Sequence, residues 1–258
     1  LAQRAWPSTG TPTFFEQGDI NMALNPSFGD FEHIVVAPSS LENAYYTWGQ
    51  ALNLAQKYQT VVIVLIDKQF ADGKATLESE LVVPEIDRGK LETNPAVDYK
   101  RYELTDDGIS PYTIPGMQDG DFIATSYEHD EYGATTEEST MKVAMTDKRM
   151  KKLNNFFEKE GIRWYEVYNP EAKKMIITTS YTIYTAKEFI QNNPEYGLII
   201  IHFLKPLDER LLDEIKDKEE VIFVESNYSG QLENYISKEF GLKYIDGLKI
   251  SNIRKYDL

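Results

Sequence analysis

Apolar residues in the first part of the chain follow two rhythms. Ile34-Val35-Val36 and Val61-Val62-Ile63-Val64-Leu65-Ile66 are continuous apolar runs of strand length. Between them, Leu41, Tyr45, Trp48, Leu52, Ala55 and Tyr58 recur at helical spacing. A run that is apolar at every position suits a strand buried on both faces of a parallel sheet. Residues 34–66 therefore read as one β-α-β unit, with a helix over 40–58 opened by a capping box of Ser39 and Glu42.

From Met175 onward the alternation becomes regular. Strands are expected at 175–179, 198–202 and 221–225, with helices at 182–191, 207–217 and 230–240. Repeated strand–helix units of this length wind into a small parallel sheet, whose ligands bind beyond the carboxyl ends of the strands, here near Ser180, Phe203 and Ser226. Residues 1–33 and 67–139 lack periodicity and are punctuated by Pro and Gly. Irregular stretches of that length tend to be functional or interfacial. A helix is expected over 141–160, with Met141, Met145, Leu153, Phe156 and Phe157 on its apolar side and Lys148, Arg149, Lys151 and Lys152 on a solvated face. The expected fold class is α/β, in three segments: 1–75, an irregular excursion with a connecting helix over 76–165, and a parallel α/β unit over 166–258.

Charge narrows the functional classes. The net charge is −15, and residues 78–138 hold 16 Asp and Glu against 4 Lys and Arg. Such a balance argues against nucleic acid. The acidic segment reads as a solvated surface excursion, with a docking face for a basic partner as the alternative. No apolar run is long enough to span a bilayer as a helix, and a cytoplasmic location is expected. The sequence has no cysteine, which excludes disulfides, thiolate metal sites and a Cys-ligated iron–sulfur cluster within it.

Three segments carry candidate chemistry. In Arg4-Ala5-Trp6-Pro7-Ser8-Thr9-Gly10, a guanidinium followed by small hydroxyl residues suits an anion clamp, because Arg grips a carboxylate through parallel hydrogen bonds; a surface Arg before a turn is the plainer reading. In Glu128-His129-Asp130-Glu131, carboxylates flank an imidazole. They suit a divalent cation or a raised His pKa, but a structural, inter-domain hydrogen-bonding role is preferred, and no metal site is expected. In Asn227-Tyr228-Ser229-Gly230, a strand end runs into a helix start, where ordinary capping competes with anion binding. His33 and His202 border strands and read as structural.

Taken together, the motifs resemble one family. Gln3-Arg4 with Pro7-Ser8-Thr9-Gly10 and Glu16-Gln17-Gly18-Asp19 open the series, and Ile34-Val35-Val36-Ala37-Pro38 and Ala51 to Thr60 follow. Asp107-Gly108-Ile109-Ser110-Pro111, Glu128-His129-Asp130-Glu131-Tyr132-Gly133 and Asn227-Tyr228-Ser229-Gly230-Gln231-Leu232 complete it. In this order they resemble the alpha subunit of 2-oxoacid:ferredoxin oxidoreductases of the archaeal and bacterial 2-oxoglutarate or pyruvate type.

The resemblance implies that residues 1–75 are the C-terminal part of a pyrimidine-type thiamine diphosphate-binding domain, and that 166–258 form a transketolase C-terminal-like domain. It implies a heteromeric enzyme that converts a 2-oxoacid to acyl-CoA and passes electrons to ferredoxin. Thiamine diphosphate and Mg²⁺ would be shared with a beta subunit that also holds the iron–sulfur cluster. Arg4 is then the residue expected to hold the 2-oxoacid carboxylate, with Ser8 and Thr9 beside it. The residues 128–131 and 227–230 are expected at interface or ligand contacts.

Three departures stand out. The family's Tyr-Pro-Ile-Thr-Pro segment and the Glu that activates the aminopyrimidine are absent, so the chain is expected to be an N-terminally truncated piece with no catalytic residue of its own. Trp6 replaces a usual glycine, and a usually glycine-rich turn reads Ser180-Tyr181-Thr182. These motivate an alternative, a non-catalytic scaffold or binding paralogue that keeps the fold. A transketolase or 2-oxoacid dehydrogenase component shares the domain types but not this set of motifs.

Overall fold

The computed structural model describes residues 1–77, 80–162 and 164–254. Its elements run in the order β1 (Ala2–Gln3), α1 (Ile20–Leu24), β2 (Ile34–Val36), α2 (Leu41–Tyr58), β3 (Val62–Val64), β4 (Ile66–Asp67) and α3 (Lys68–Asp72). After the excursion come α4 (Ser139–Met150), α5 (Phe156–Glu160), β5 (Tyr165–Tyr168), β6 (Lys174–Thr178), α6 (Thr182–Asn192), β7 (Tyr196–Ile201) and β8 (Phe203–Lys205). Then α7 (Arg210–Ile215), β9 (Glu220–Glu225), α8 (Gln231–Glu239) and β10 (Lys249–Arg254) follow.

Among the described residues the strands form three sheets. The largest has the order β10-β9-β6-β7-β5, parallel except for β5, which runs against β7. Two of its strands, β5 and β10, lie outside the strands expected from the sequence. Along its core strands the side chains alternate between two apolar faces. Met175, Ile177, Ile199, Ile201, Val221 and Phe223 join the main core. Ile176, Leu198, Ile200 and Ile222 pack with Ile183, Ala186 and Ile190 of α6 on the other side. This is why these strands read as unbroken apolar runs.

The 61–66 run does not stay in one sheet. β3 pairs with β2, and after Leu65 the chain turns so that β4 pairs with β1. Likewise β8 leaves the large sheet beyond His202 and pairs antiparallel with β2. The last segment therefore crosses into the first, and the main core extends from Ile20 to Leu242.

Two helix expectations change. The N-cap of α2 is Ser40 rather than Ser39: Ser40 Oγ accepts from Asn43 N–H at 2.9 Å, and Asn43 Oδ1 accepts from Ser39 N–H at 3.0 Å, so Asn43 and not Glu42 completes the reciprocal pair. The expected helix over 141–160 is two helices, broken where Asn155 adopts a left-handed φ of 56°, a conformation Asn tolerates. Phe156 and Phe157 are consecutive and both buried. Both lie in the first turn of α5, about 100° apart around its axis, and the break before them re-aims that turn so that Phe156 meets Tyr58 (5.1 Å) while Phe157 stacks on Trp164 (5.5 Å).

Of the four basic residues expected on a solvated face at the end of α4, Lys151 is exposed, while Lys148 is buried and Arg149 and Lys152 are half-buried. Lys148 is 7% exposed and donates to the Gly108 carbonyl at 3.2 Å. Lys152 donates to the carbonyl of Gln59, the C-cap of α2, at 2.6 Å. The cations satisfy main-chain acceptors that the excursion and the α2 terminus would otherwise bury unpaired. Burial first, then neighbouring cations that include Arg101 and Arg149, brings both amines down to about 8.

Candidate functional site at the loop that carries Arg4

Arg4 directly follows β1, and a tight loop begins there. Thr11 N–H donates to the Ala5 carbonyl at 3.1 Å, Ser8 and Gly10 both have left-handed φ, and a Cβ at Gly10 would lie 1.8 Å from the Ala5 oxygen. Only glycine closes this turn. The half-buried Arg4 guanidinium lies 4.7 Å from the centroid of the Trp6 ring, and it has no hydrogen-bond or ion-pair partner among the described residues. Trp6 in turn packs on Gly18: a Cβ there would be 3.0 Å from Trp6 Cδ1. Ser8 and Thr9 lie on the same loop with exposed side chains. The structure thus joins Arg4 to Trp6, rather than joining Ser8 or Thr9 to Arg4 by a hydrogen bond.

The base of the loop is fixed by buried polar residues. Gln3 Oε1 accepts from Asp19 N–H at 3.1 Å. Asp67, fully buried, pairs in register with Gln3 and accepts from Phe70 N–H, Ser180 Oγ–H and Tyr181 N–H. Gln17, also fully buried, bonds to the ends of β6 and β9. Sequence reasoning gave none of these three a role. For Gln3 and Gln17 the signal was their place beside the Arg4 motif, and Asp67 had none, because a polar residue in an irregular segment carries no periodic mark of burial.

The 128–131 group is a structural knot. Glu128 forms paired hydrogen bonds with Arg149 at 3.0 and 2.8 Å. Arg149 holds its carboxyl down to about 2 against the opposing effect of burial. His129 Nδ1 lies 2.9 Å from the Asp130 carbonyl, and its ring packs 4.0 Å from that of Tyr102. Asp130 Oδ1 accepts from the N–H groups of Tyr132 and Ala134, while Glu131 accepts from Lys100 and from Leu104 N–H. The carboxylates diverge, and no group of three or more His, Asp or Glu among the described residues is placed to hold a metal ion. The contacts tie the excursion to itself and to α4, a more local role than the inter-domain one expected.

The start of α8 is closed by its own side chains. Asn227 Oδ1 accepts from Gly230 and Gln231 N–H at 2.8 and 3.1 Å. Glu225 accepts from Leu232 and Glu233 N–H at 2.8 and 3.2 Å. The donors that an anion would need are already used, so Asn227 and Gly230 serve capping. Tyr228 and Ser229 are exposed, and the carbonyl of each accepts a side-chain N–H, from Arg254 and Asn234. At the other turn, where the resemblance implies a glycine-rich segment, Ser180 has a left-handed φ of 59°, with its hydroxyl bonded to Asp67. His33 bonds the Ala23 carbonyl and His202 bonds Glu166, each at 3.0 Å. Burial lowers the pKa of both imidazoles, and neither belongs to the Arg4 loop.

A family model described as pyruvate flavodoxin/ferredoxin oxidoreductase, thiamine diphosphate-binding, matches residues 1–149. The chain is 36% identical over 253 residues to the 2-oxoacid:ferredoxin oxidoreductase subunit alpha of Saccharolobus solfataricus, a match covering 93% of this chain and 39% of that protein. It is 29% identical over 228 residues to the 2-oxoglutarate synthase subunit KorA of Methanocaldococcus jannaschii, covering 85% of this chain and 60% of the relative. Among solved structures, it superposes with a TM-score of 0.81 and 29% identity on the 2-oxoglutarate:ferredoxin oxidoreductase from Magnetococcus marinus with 2-oxoglutarate, coenzyme A and succinyl-CoA bound. That match covers 98% of this chain and 44% of the other.

Proposed function

Because this chain belongs to the pyruvate flavodoxin/ferredoxin oxidoreductase family, we propose that it is alpha-subunit material of an enzyme that oxidatively decarboxylates a 2-oxoacid to acyl-CoA and reduces ferredoxin. The observation that carries the reading is the Arg4 guanidinium, held against Trp6 on a rigid loop and without an anionic partner among the described residues. A fixed, permanently charged fork is suited to a carboxylate. Placed there, the acid end of the substrate is anchored and the adjacent carbonyl is oriented for attack.

Thiamine diphosphate would supply the carbanion-stabilising chemistry when bound. The residues of this chain fit only part of that arrangement. Arg4 suits the substrate, whereas the diverging carboxylates of 128–131 do not form a seat for a metal-bound diphosphate. We therefore assign the diphosphate, Mg²⁺ and the iron–sulfur cluster to a beta subunit, in keeping with a sequence that has no cysteine to ligate a cluster. The role of the chain's own residues is to bind and orient the substrate. Ferredoxin, coenzyme A and the 2-oxoacid are the remaining partners, and a cytoplasmic heteromer is the expected setting. No helix among the described residues is long and apolar enough to cross a membrane.

A scaffold role is the second reading. It is favoured by Trp6 and by the crevice of the large sheet being filled from within by Gln17. The test is reconstitution of the full-length chain with its beta subunit, followed by coenzyme A-dependent reduction of a viologen dye with pyruvate and with 2-oxoglutarate. Turnover supports the enzyme. A correctly assembled, cofactor-loaded pair that does not turn over supports the scaffold.

A further inference from the structure

The large sheet has its topological switch point between β6 and β9. From β6 the chain proceeds to β7 on one side, while β9 and β10 lie on the other. Open α/β sheets hold their ligands in the crevice at such a point, beyond the carboxyl ends of the two strands. Here that crevice contains Gln17, which comes from the far end of the Arg4 loop.

Gln17 uses all its polar groups there. Its Nε2 donates to the Thr179 carbonyl at 2.7 Å and to Thr182 Oγ1 at 3.3 Å, just beyond β6. Its Oε1 accepts from Ser226 N–H at 2.8 Å, and its own N–H donates to the Ser226 carbonyl at 2.6 Å, just beyond β9. Its carbonyl accepts from Asn227 Nδ2 at 3.2 Å. The following residues are held as well. Gln231 Nε2 donates to the Gly18 carbonyl at 2.9 Å, Gln231 Oε1 accepts from Asn21 N–H at 2.9 Å, and Asp19 N–H donates to Gln3 Oε1. The loop that carries Arg4 and Trp6 is therefore clamped at its base by β1 on one side and by the large sheet on the other.

We propose that Gln17 is a positioning residue for Arg4, and that the switch-point crevice of the large sheet serves as the socket for the substrate loop instead of a ligand site. The proposal rests on the reading of Arg4 as the carboxylate clamp. Gln17 acts through the loop and touches no substrate. Releasing it frees the loop, and the guanidinium loses its fixed place. An interaction made equally in ground and transition states then weakens, which raises KM more than it lowers kcat. A displacement of about 1 Å at such a group is enough for losses on the order of tenfold to a hundredfold.

The test uses the full-length chain assembled with its beta subunit, comparing wild type with Gln17→Met, which keeps the volume and removes the side-chain hydrogen bonds. Gln17→Asn keeps the amide but withdraws it by one methylene, and serves where the first variant does not assemble. Amide hydrogen exchange and the kinetics with the 2-oxoacid are read on the same preparations. The expected result is exchange at least about tenfold faster over residues 5–16, with KM raised about tenfold or more and kcat within about threefold. Unchanged exchange over 5–16 overturns the proposal, as does a fall in kcat with KM unchanged, which marks a smaller active fraction or an interaction made only in the transition state. If the wild-type pair does not turn over, the functional reading fails and the exchange experiment alone decides whether Gln17 holds the loop.

Discussion

The Ser180 hydroxyl donates to the buried Asp67 carboxylate at 2.5 Å, and Tyr181 N–H donates to the same oxygen at 3.0 Å. Asp67 stands opposite Gln3 in the β1–β4 pair, one residue before Arg4. A single carboxylate therefore joins the strand that presents Arg4 to the turn after β6. Asp67→Ala would leave the buried donors at Phe70 and Ser180, and the half-buried one at Tyr181, without an acceptor. The expected loss is at least about 2 kcal/mol, read as a lowered midpoint in chemical denaturation. An unchanged midpoint would mean that the junction contributes nothing to folding.

Glu128 and Arg149 predict an acid limb. The folded-state pKa of Glu128 is lowered from 4.5 to about 2, so its contribution is present above 4.5 and is lost as pH falls through about 2. Glu128→Gln is expected to cost about 1–2 kcal/mol near neutral pH, with the difference from wild type closing by pH 2. A difference that stays constant across that range would contradict the ion pair as its source.

Lys148 predicts an opposite limb. Its pKa is lowered from 10.5 to about 8, so between those values the unfolded chain binds more protons than the folded one, and stability from this group rises with pH. Lys148→Met should therefore flatten the rise in stability between about pH 8 and 10.5. An identical slope in the variant would contradict the burial-driven shift.

Gly10→Ala places a Cβ on the Ala5 oxygen in a left-handed conformation. The loop cannot close with it. The expected outcome is a fall in kcat/KM of the reconstituted enzyme of about tenfold or more, with the denaturation midpoint lowered by much less than in Asp67→Ala. Wild-type kcat/KM in this variant would show that the closed loop is not needed for substrate binding.

The three central strands of the large sheet, β6, β7 and β9, were legible because they carry apolar residues on both faces, and α2, α6 and α8 because their burial follows helical spacing. What escaped reading depended on partners distant in sequence. β5 and β10 are edge strands with half-polar faces, and the 61–66 run changes sheets at Leu65, which no local pattern marks. The basic end of α4 looked solvated because the acceptors of Lys148 and Lys152 are main-chain carbonyls at Gly108 and Gln59. Carbonyls leave no trace in side-chain chemistry. At the site, Arg4 and Gly10 were visible as a motif. The roles of Gln3, Gln17 and Asp67 follow only from burial.

The central claim is that Arg4 holds the substrate carboxylate. Its most direct test is the 2-oxoacid dependence of viologen reduction by the reconstituted full-length pair, comparing wild type with Arg4→Ala and Arg4→Lys. Loss of a charge-assisted fork predicts a fall in kcat/KM on the order of a hundredfold for Arg4→Ala. Lys keeps the charge but not the paired geometry, so Arg4→Lys should recover only part of it. Wild-type kinetics in Arg4→Ala would contradict the account.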